Sequence, residues 1–373
     1  MTLDLKSLAL PGVQRLQPYQ GGKPVEELER ELGIRGAIKL ASNENPLGLS
    51  AVARAAIEES LIDGARYPDG NGFYLKQKLA EKFSVGTDQL TLGNGSNDVL
   101  ELMARGFLGS EHNAVFSEHA FVVYQLAITA QNAKAIVVPA RHWGHDLAAM
   151  AAAGTWVALD DIESLMKKVP QHVLVVVDEA YFEYVDKPAY GTALSLLDQY
   201  PNLVITRTFS KAYGLASLRA GYAVSHPDVA DIINRVRQPF NINSMALAAA
   251  VAVLDDQDYL GRSIEINRKG YEQLTSGFSQ MGLDFIPSVG NFIAVEIPGN
   301  IQALYQALLQ LGVIVRPIGL YGMPNHLRVS IGLPEEYRSG GAPDVWKNQS
   351  STSCWPWLDR WKFGQSCAGS GSL

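Results

Sequence analysis

Cysteine is nearly absent from this 373-residue chain, which has only Cys354 and Cys367. Two cysteines make no disulfide framework, so the expected compartment is a reducing cytoplasm. Long apolar runs are missing too. The longest, Met245 to Leu254, falls far short of the ~20 residues a membrane helix needs, so no membrane partner is expected. There is no excess of basic charge: 31 Lys and Arg stand against 38 Asp and Glu, a net charge of -7. That balance argues against a nucleic-acid partner, which calls for a basic footprint. The opening MTLDLKSLALPGVQ also lacks the charged segment and long apolar stretch of a secretion signal. What remains is ordinary globular composition, 47% hydrophobic and 18% charged, in a chain long enough for a large core.

Strand and helix signals alternate along the middle of the chain. The runs at 89–92, 113–116, 135–138, 173–177, 203–206 and 220–224 are apolar and rich in β-branched residues, and they read as strands. Between them, Val99, Leu102, Met103 and Phe107 recur at helical spacing. Continuous apolar strands separated by helices predict an α/β fold with a parallel sheet covered on both faces. Ligands of such sheets sit at the carboxyl ends of strands. NFIAVEI (291–297) and HLRVSIG (326–332) read as strands flanking a helical stretch at 301–311. With the N-terminal residues these are expected to form a second, smaller domain.

Two stretches break the pattern. Residues 146–153 and 160–169 both read as helices, with only GTWVAL between them, although each crossover of a parallel sheet should return to a strand. After Pro334 the periodicity stops. Four of the six Trp and both Cys fall beyond residue 345, among Ser and Gly, a poor candidate for folded structure.

Three motifs carry chemistry. The strongest strand ends in Asp178-Glu179-Ala180-Tyr181, which puts an acid at the ligand crevice; the plain alternative is a helix cap or a solvated loop. RTFSKAYGLASLRAGY (207–222) sets Lys211 among hydroxyl and apolar residues, with Arg219 eight residues on. Thr208 and Ser210 can hydrogen-bond phosphate, Arg219 offers a bidentate fork, and a desolvated Lys211 would be a nucleophilic amine. A lone loop lysine is ordinarily a solvated charge, but this combination is hard to reach by chance. GNGSNDVLELM (93–103) is a glycine-rich turn into a helix, an anion site or a plain turn capped by Ser96 or Asn97. A phosphate cradle, a lysine and a carboxylate together suit pyridoxal 5'-phosphate. Lys211 would form the Schiff base and Asp178 would keep the pyridine nitrogen protonated. Tyr181 could reach the phenolic oxygen. The two histidines of HWGHD (142–146) have no third partner cluster and read as a loop, so no metal is expected.

With these motifs the chain resembles the fold-type I aminotransferases of the aspartate aminotransferase superfamily, and within them histidinol-phosphate aminotransferase. The similarity runs from about Val13 to Leu333. RLQPYQGGKPVEELERELG (15–33) is similar to that family's N-terminal signature, LASNENPLG (40–48) to its substrate-side segment, and SKAYGLASLRAGY to its lysine motif. The resemblance implies a large cofactor domain over 46–270, with a mainly parallel sheet. A smaller α/β domain from 1–45 and 271–335 and an atypical tail from 336 to 373 complete the division. It implies Lys211 as the proton shuttle, and Gly95, Ser96, Asn97, Thr208, Ser210 and Arg219 around the cofactor phosphate. Phe121 would stack on the pyridine. Tyr67 would reach the phosphate of a neighbouring subunit's cofactor, which implies a homodimer. Arg328 would grip the substrate anion, with Arg316, Tyr19 and Asn43 beside it.

The implied reaction moves an amino group between histidinol phosphate and 2-oxoglutarate in histidine biosynthesis. An aromatic amino-acid specificity, a carbon–sulfur or decarboxylating chemistry, and a non-catalytic relative are the alternatives. The chain departs from the family at Ala153-Gly154-Thr155, where the family has a strand and an Asn-bearing cofactor loop, and again from about Tyr337, where it has a closing helix.

Overall fold

The computed structural model describes residues 5–19, 21–140 and 157–338. The chain divides into two compact units, Met1–Pro18 with Leu47–Ile264 and Tyr19–Pro46 with Glu265–Leu373. The first eighteen residues therefore group with the large unit, where the sequence reading had put them in the small one. The cause is local. Gly12 lacks a side chain, so its backbone approaches the Thr129 carbonyl, and its N–H donates to Asn132 Oδ1 at 2.6 Å.

Strands are numbered in chain order: β1 (Ile38–Lys39), β2 (Leu90–Gly93), β3 (Asn113–Ser117), β4 (Lys134–Val138), β5 (Val175–Asp178), β6 (Leu203–Thr208) and β7 (Gly221–Ser225). Then come β8 (Phe285–Ile286), β9 (Phe292–Glu296), β10 (Val313–Ile314), β11 (Arg316–Pro317) and β12 (His326–Ser330). All six expected strands of the large unit form.

In the large unit one sheet has the order β2-β7-β6-β5, and β3 pairs with β4 apart from it. β5–β6 and β3–β4 are parallel, whereas β7 is antiparallel to both β6 and β2. β2, β6 and β5 therefore run the same way, and the expected mainly parallel sheet carries β7 as one strand against the rest. Only residues 209–220 link β6 to β7, with a single short 3-10 turn and no crossover helix, and a parallel return needs a longer crossover. β6 and β7 are buried along their whole length, and Leu203, Ile205, Tyr222 and Val224 anchor the core with Leu75, Leu79 and Ala246.

Among the described residues no strand joins β5 to β3. Each has a single partner, and Val115 of β3 and Val176 of β5 are exposed. The junction at 153–155, the helix expected at 146–153 and the two histidines of 142–146 lie outside the described residues.

In the small unit β11-β12-β9-β8 is an antiparallel sheet, and β1 pairs with β10 in parallel. The helix Ile301–Gln310 packs Leu304 and Leu308 into a core with Ile293, Val295 and Val329. The chain does not lose its order at Pro334, as the sequence suggested. Pro334–Arg338 is a short helix, and Tyr337 is fully buried, its phenol held on both the N–H and the carbonyl of Gly332. A single buried aromatic secures this turn without any periodic pattern. The rest of the expected tail, 339–373, lies outside the described residues.

Candidate active site

The loop from β6 to β7 presents Lys211. Phe209, Ala212, Tyr213 and Leu215 are buried around it, and Leu215 N–H donates to the Phe209 carbonyl at 3.0 Å, closing the loop. Lys211 itself is half-buried, with Nζ 5.7 Å from the centre of the Tyr181 ring.

Beside this loop the structure assembles a cradle of donors. The helix Ser96–Phe107 starts after Gly95, whose φ of +82° is open to glycine, and no side chain caps the helix start. Its first backbone N–H groups therefore form the positive end of the helix. The Arg219 guanidinium lies against this turn: a methyl at Gly95 would come within 2.3 Å of Nη2. Arg219 Nη1 donates to Ser210 Oγ at 3.1 Å and to the Ala216 carbonyl at 3.0 Å. Thr208, Ser210 and Ser96 are buried at the same place, Asn97 is half-buried, and Ser210 N–H donates to Thr208 Oγ1 at 3.1 Å. Gly221 is required as well, because a Cβ there would meet Ser96 N at 2.3 Å. Burial lowers the pKa of Arg219. A desolvated guanidinium, an uncapped helix start and three hydroxyls make a set of donors that suits an anion.

Asp178 ends β5, in register with Thr206 of β6. Thr206 Oγ1 donates to Asp178 Oδ1 at 3.0 Å, and Tyr124 OH donates to Oδ2 at 2.8 Å. Asp178 keeps some solvent access, yet the dense surround pushes its pKa up, against the pull of those two donors. Behind it, Glu179 and Arg207 form a buried ion pair, with Arg207 Nη2 and Nε at 2.6 and 2.9 Å from Glu179 Oε2. Thr192 and the Ala193 N–H also donate to Glu179, and Arg207 stacks at 4.0 Å on Phe182. This network ties the ends of β5 and β6 together. The pairing of Glu179 with Arg207 and the reach of Tyr124 to Asp178 join residues far apart in the chain, so no local pattern marks them.

Phe121, 39% exposed, directly precedes the helix Val122–Ala130, its ring edge-on to Tyr124 at 6.1 Å. Tyr67, 82% exposed, stacks at 4.8 Å on Phe240, which is exposed as well.

The small unit gathers a separate cationic group. Arg316 and Arg328 are directly paired across β11 and β12. Arg316 lies 5.8 Å from the ring centre of Tyr19. Arg328 Nη2 donates to the Ala41 carbonyl at 3.0 Å, while its buried Nε has no hydrogen-bond acceptor. Asn43, at φ +55°, is buried; its N–H donates to Ser330 Oγ at 2.8 Å, and Asn291 Nδ2 donates to its carbonyl at 2.9 Å. Among the described residues no three His, Cys, Asp or Glu side chains group as a metal site.

An α/β sheet with a lysine loop, an acid at a strand end and a cluster of anion-binding donors beside the loop is the arrangement of a fold-type I pyridoxal-phosphate enzyme. The family model of aminotransferase class I and II matches residues 35–155 and 151–339, two stretches that overlap at 151–155. Histidinol-phosphate aminotransferase 1 of Idiomarina loihiensis is 54% identical over 346 residues, 88% of this chain and 94% of that protein. Histidinol-phosphate aminotransferase 2 of Pseudomonas aeruginosa is 56% identical over 352 residues, 89% and 95% of the two. The crystal structure of histidinol-phosphate aminotransferase from Sinorhizobium meliloti, in complex with pyridoxal-5'-phosphate, superposes with a TM-score of 0.79 at 27% identity, covering 87% of this chain and 93% of that one. The chain belongs to the class I and II aminotransferases, and among them to the histidinol-phosphate aminotransferase family. Its cofactor is pyridoxal phosphate, and the donors around Gly95 and Arg219 suit that phosphate.

Proposed function

We propose that this chain transfers the amino group of L-histidinol phosphate to 2-oxoglutarate in histidine biosynthesis, in two half-reactions that share one site. The observation that carries the reading is the set Lys211, Tyr181 and Asp178 at the carboxyl ends of β5 and β6, beside the anion cradle. The substrate class follows from relatives above 50% identity that bear that name. When bound, pyridoxal phosphate supplies an aldehyde carbon and a ring that accepts an electron pair.

The chain's residues do the rest. Lys211 would hold the cofactor through Nζ, and its amine would serve as the base that moves a proton. Asp178 would keep the pyridine nitrogen protonated, and Tyr181 would hydrogen-bond the ring's 3′-oxygen. Gly95, Ser96, Asn97, Thr208, Ser210 and Arg219 bind the phosphate, and Phe121 orients the ring by stacking. Arg328 and Arg316, with Tyr19 and Asn43, read the phosphate of histidinol phosphate in one half-reaction and the α-carboxylate of glutamate in the other. The exposed Tyr67–Phe240 stack supports a homodimer in which Tyr67 serves the neighbouring cofactor. A cytoplasmic location fits the two cysteines and the lack, among described residues, of any helix long and apolar enough to cross a membrane.

The test is a comparison of rates. The cofactor-loaded chain with 2-oxoglutarate should form glutamate faster from histidinol phosphate than from phenylalanine. The reverse order would make it an aromatic aminotransferase, and no glutamate from either would remove the aminotransferase reading.

A further inference from the structure

We infer that Tyr124 positions Asp178 for the cofactor's ring nitrogen, so that the first turn of one helix sets both the stacking ring and the carboxylate beneath it. The inference rests on the reading above, in which Asp178 faces that nitrogen. Tyr124 and Phe121 are three residues apart at the start of the helix Val122–Ala130, and their rings meet edge-on at 6.1 Å and 87°. Phe116 of β3 packs edge-on against Tyr124 from the other side at 6.4 Å. Tyr124 therefore has little freedom, and its hydroxyl points at Asp178 Oδ2, 2.8 Å away.

The carboxylate is held at both oxygens. Thr206, its in-register neighbour, takes Oδ1, and Tyr124 takes Oδ2. Thr206 belongs to the β5–β6 sheet, whereas Tyr124 follows β3 in the other sheet. Among the described residues no strand joins these sheets, so this hydrogen bond is a side-chain link between them. The other groups facing the pair are Glu179, whose charge disfavours ionisation of Asp178, and Tyr181, whose effect falls on Tyr124. Burial and the neighbouring carboxylate keep the Tyr124 phenol protonated, and so a donor. Without it, Asp178 would lose one of its three donors, with Thr206 and the Ala180 N–H left, while its burial remained. Asp178 would then protonate more readily and hold the ring-nitrogen proton less well.

The experiment compares cofactor affinity, read by fluorescence, for pyridoxal phosphate and for its 1-deaza analogue, in which carbon replaces the ring nitrogen. Tyr124→Phe should weaken pyridoxal phosphate about tenfold and leave the analogue unchanged. Equal weakening of both, or of neither, overturns the inference. Asp178→Asn separates the two levels. If it too fails to discriminate between the cofactors, the placement of Asp178 at the ring nitrogen falls, and the inference with it. If it discriminates and Tyr124→Phe does not, the inference alone falls. Should Tyr124→Phe not fold, a fluorinated tyrosine at position 124 keeps the packing and strengthens the donor. The ratio of the two affinities should then shift toward pyridoxal phosphate, and an unchanged ratio contradicts the assignment.

Discussion

Arg316 and Arg328 stand opposite each other across β11 and β12, two guanidiniums on one face of an antiparallel pair. Like charges so placed destabilise a sheet unless an anion lies with them. Inorganic phosphate should therefore raise the melting temperature, because a ligand of the folded state stabilises by mass action. Arg328→Ala should lose most of that rise. The same variant should raise KM for histidinol phosphate about tenfold or more, with a smaller change in kcat. A phosphate-induced shift equal in both proteins would detach this pair from anion binding.

Gly95 is the position where backbone freedom matters most. Its φ of +82° disfavours any side chain, and a Cβ would press on Arg219 Nη2. Gly95→Ala should cost roughly 1–3 kcal/mol in stability. It should also weaken pyridoxal phosphate about tenfold, since Arg219 must move away from the helix start. Isothermal titration and a denaturant melt would measure both, and an unchanged affinity would separate Gly95 from the cradle.

Glu183 lies in the 3-10 turn after Asp178, and burial pushes its pKa up to about 7 from the usual 4.5. A carboxyl raised in the folded state favours folding below the unfolded pKa, and that contribution is lost as pH rises to about 7. Stability should therefore fall between about pH 4.5 and pH 7 through this group, with Arg207 nearby limiting the loss. Glu183→Gln should flatten that slope and melt higher than the parent at pH 8. Melting curves across pH 4.5–8 provide the check, and parallel profiles would exclude Glu183 as the source.

The unpaired edge of β3 makes a different prediction. Val115 is 46% exposed on a strand that has one partner among the described residues, the kind of edge that recruits other chains. Val115→Lys should change stability by no more than about 0.5 kcal/mol and lower light scattering on concentration. A large loss of stability would mean that this edge is covered in solution.

Much of this was legible in the sequence, for local reasons. β6 is a run of apolar and β-branched residues, and Lys211, flanked by hydroxyls with Arg219 beyond, is a contiguous pattern. The sequence also lacks a strand pattern between the helical stretches 146–153 and 160–169, the first of which lies outside the described residues. The direction of β7 was not legible, because it depends on how the loop 209–220 turns. Nor was the register that sets Arg316 beside Arg328, or the bond from Tyr124 to Asp178. These join residues far apart in the chain, and nothing local marks them. The anchoring of Gly12 on Thr129 and the burial of Tyr337 were hidden for the same reason.

The most direct test of the central claim is an absorbance spectrum of the purified chain with pyridoxal phosphate, beside Lys211→Ala. The account predicts a near-visible band that the variant lacks and that histidinol phosphate bleaches. A band of equal strength in the variant, or no band in either, would contradict it.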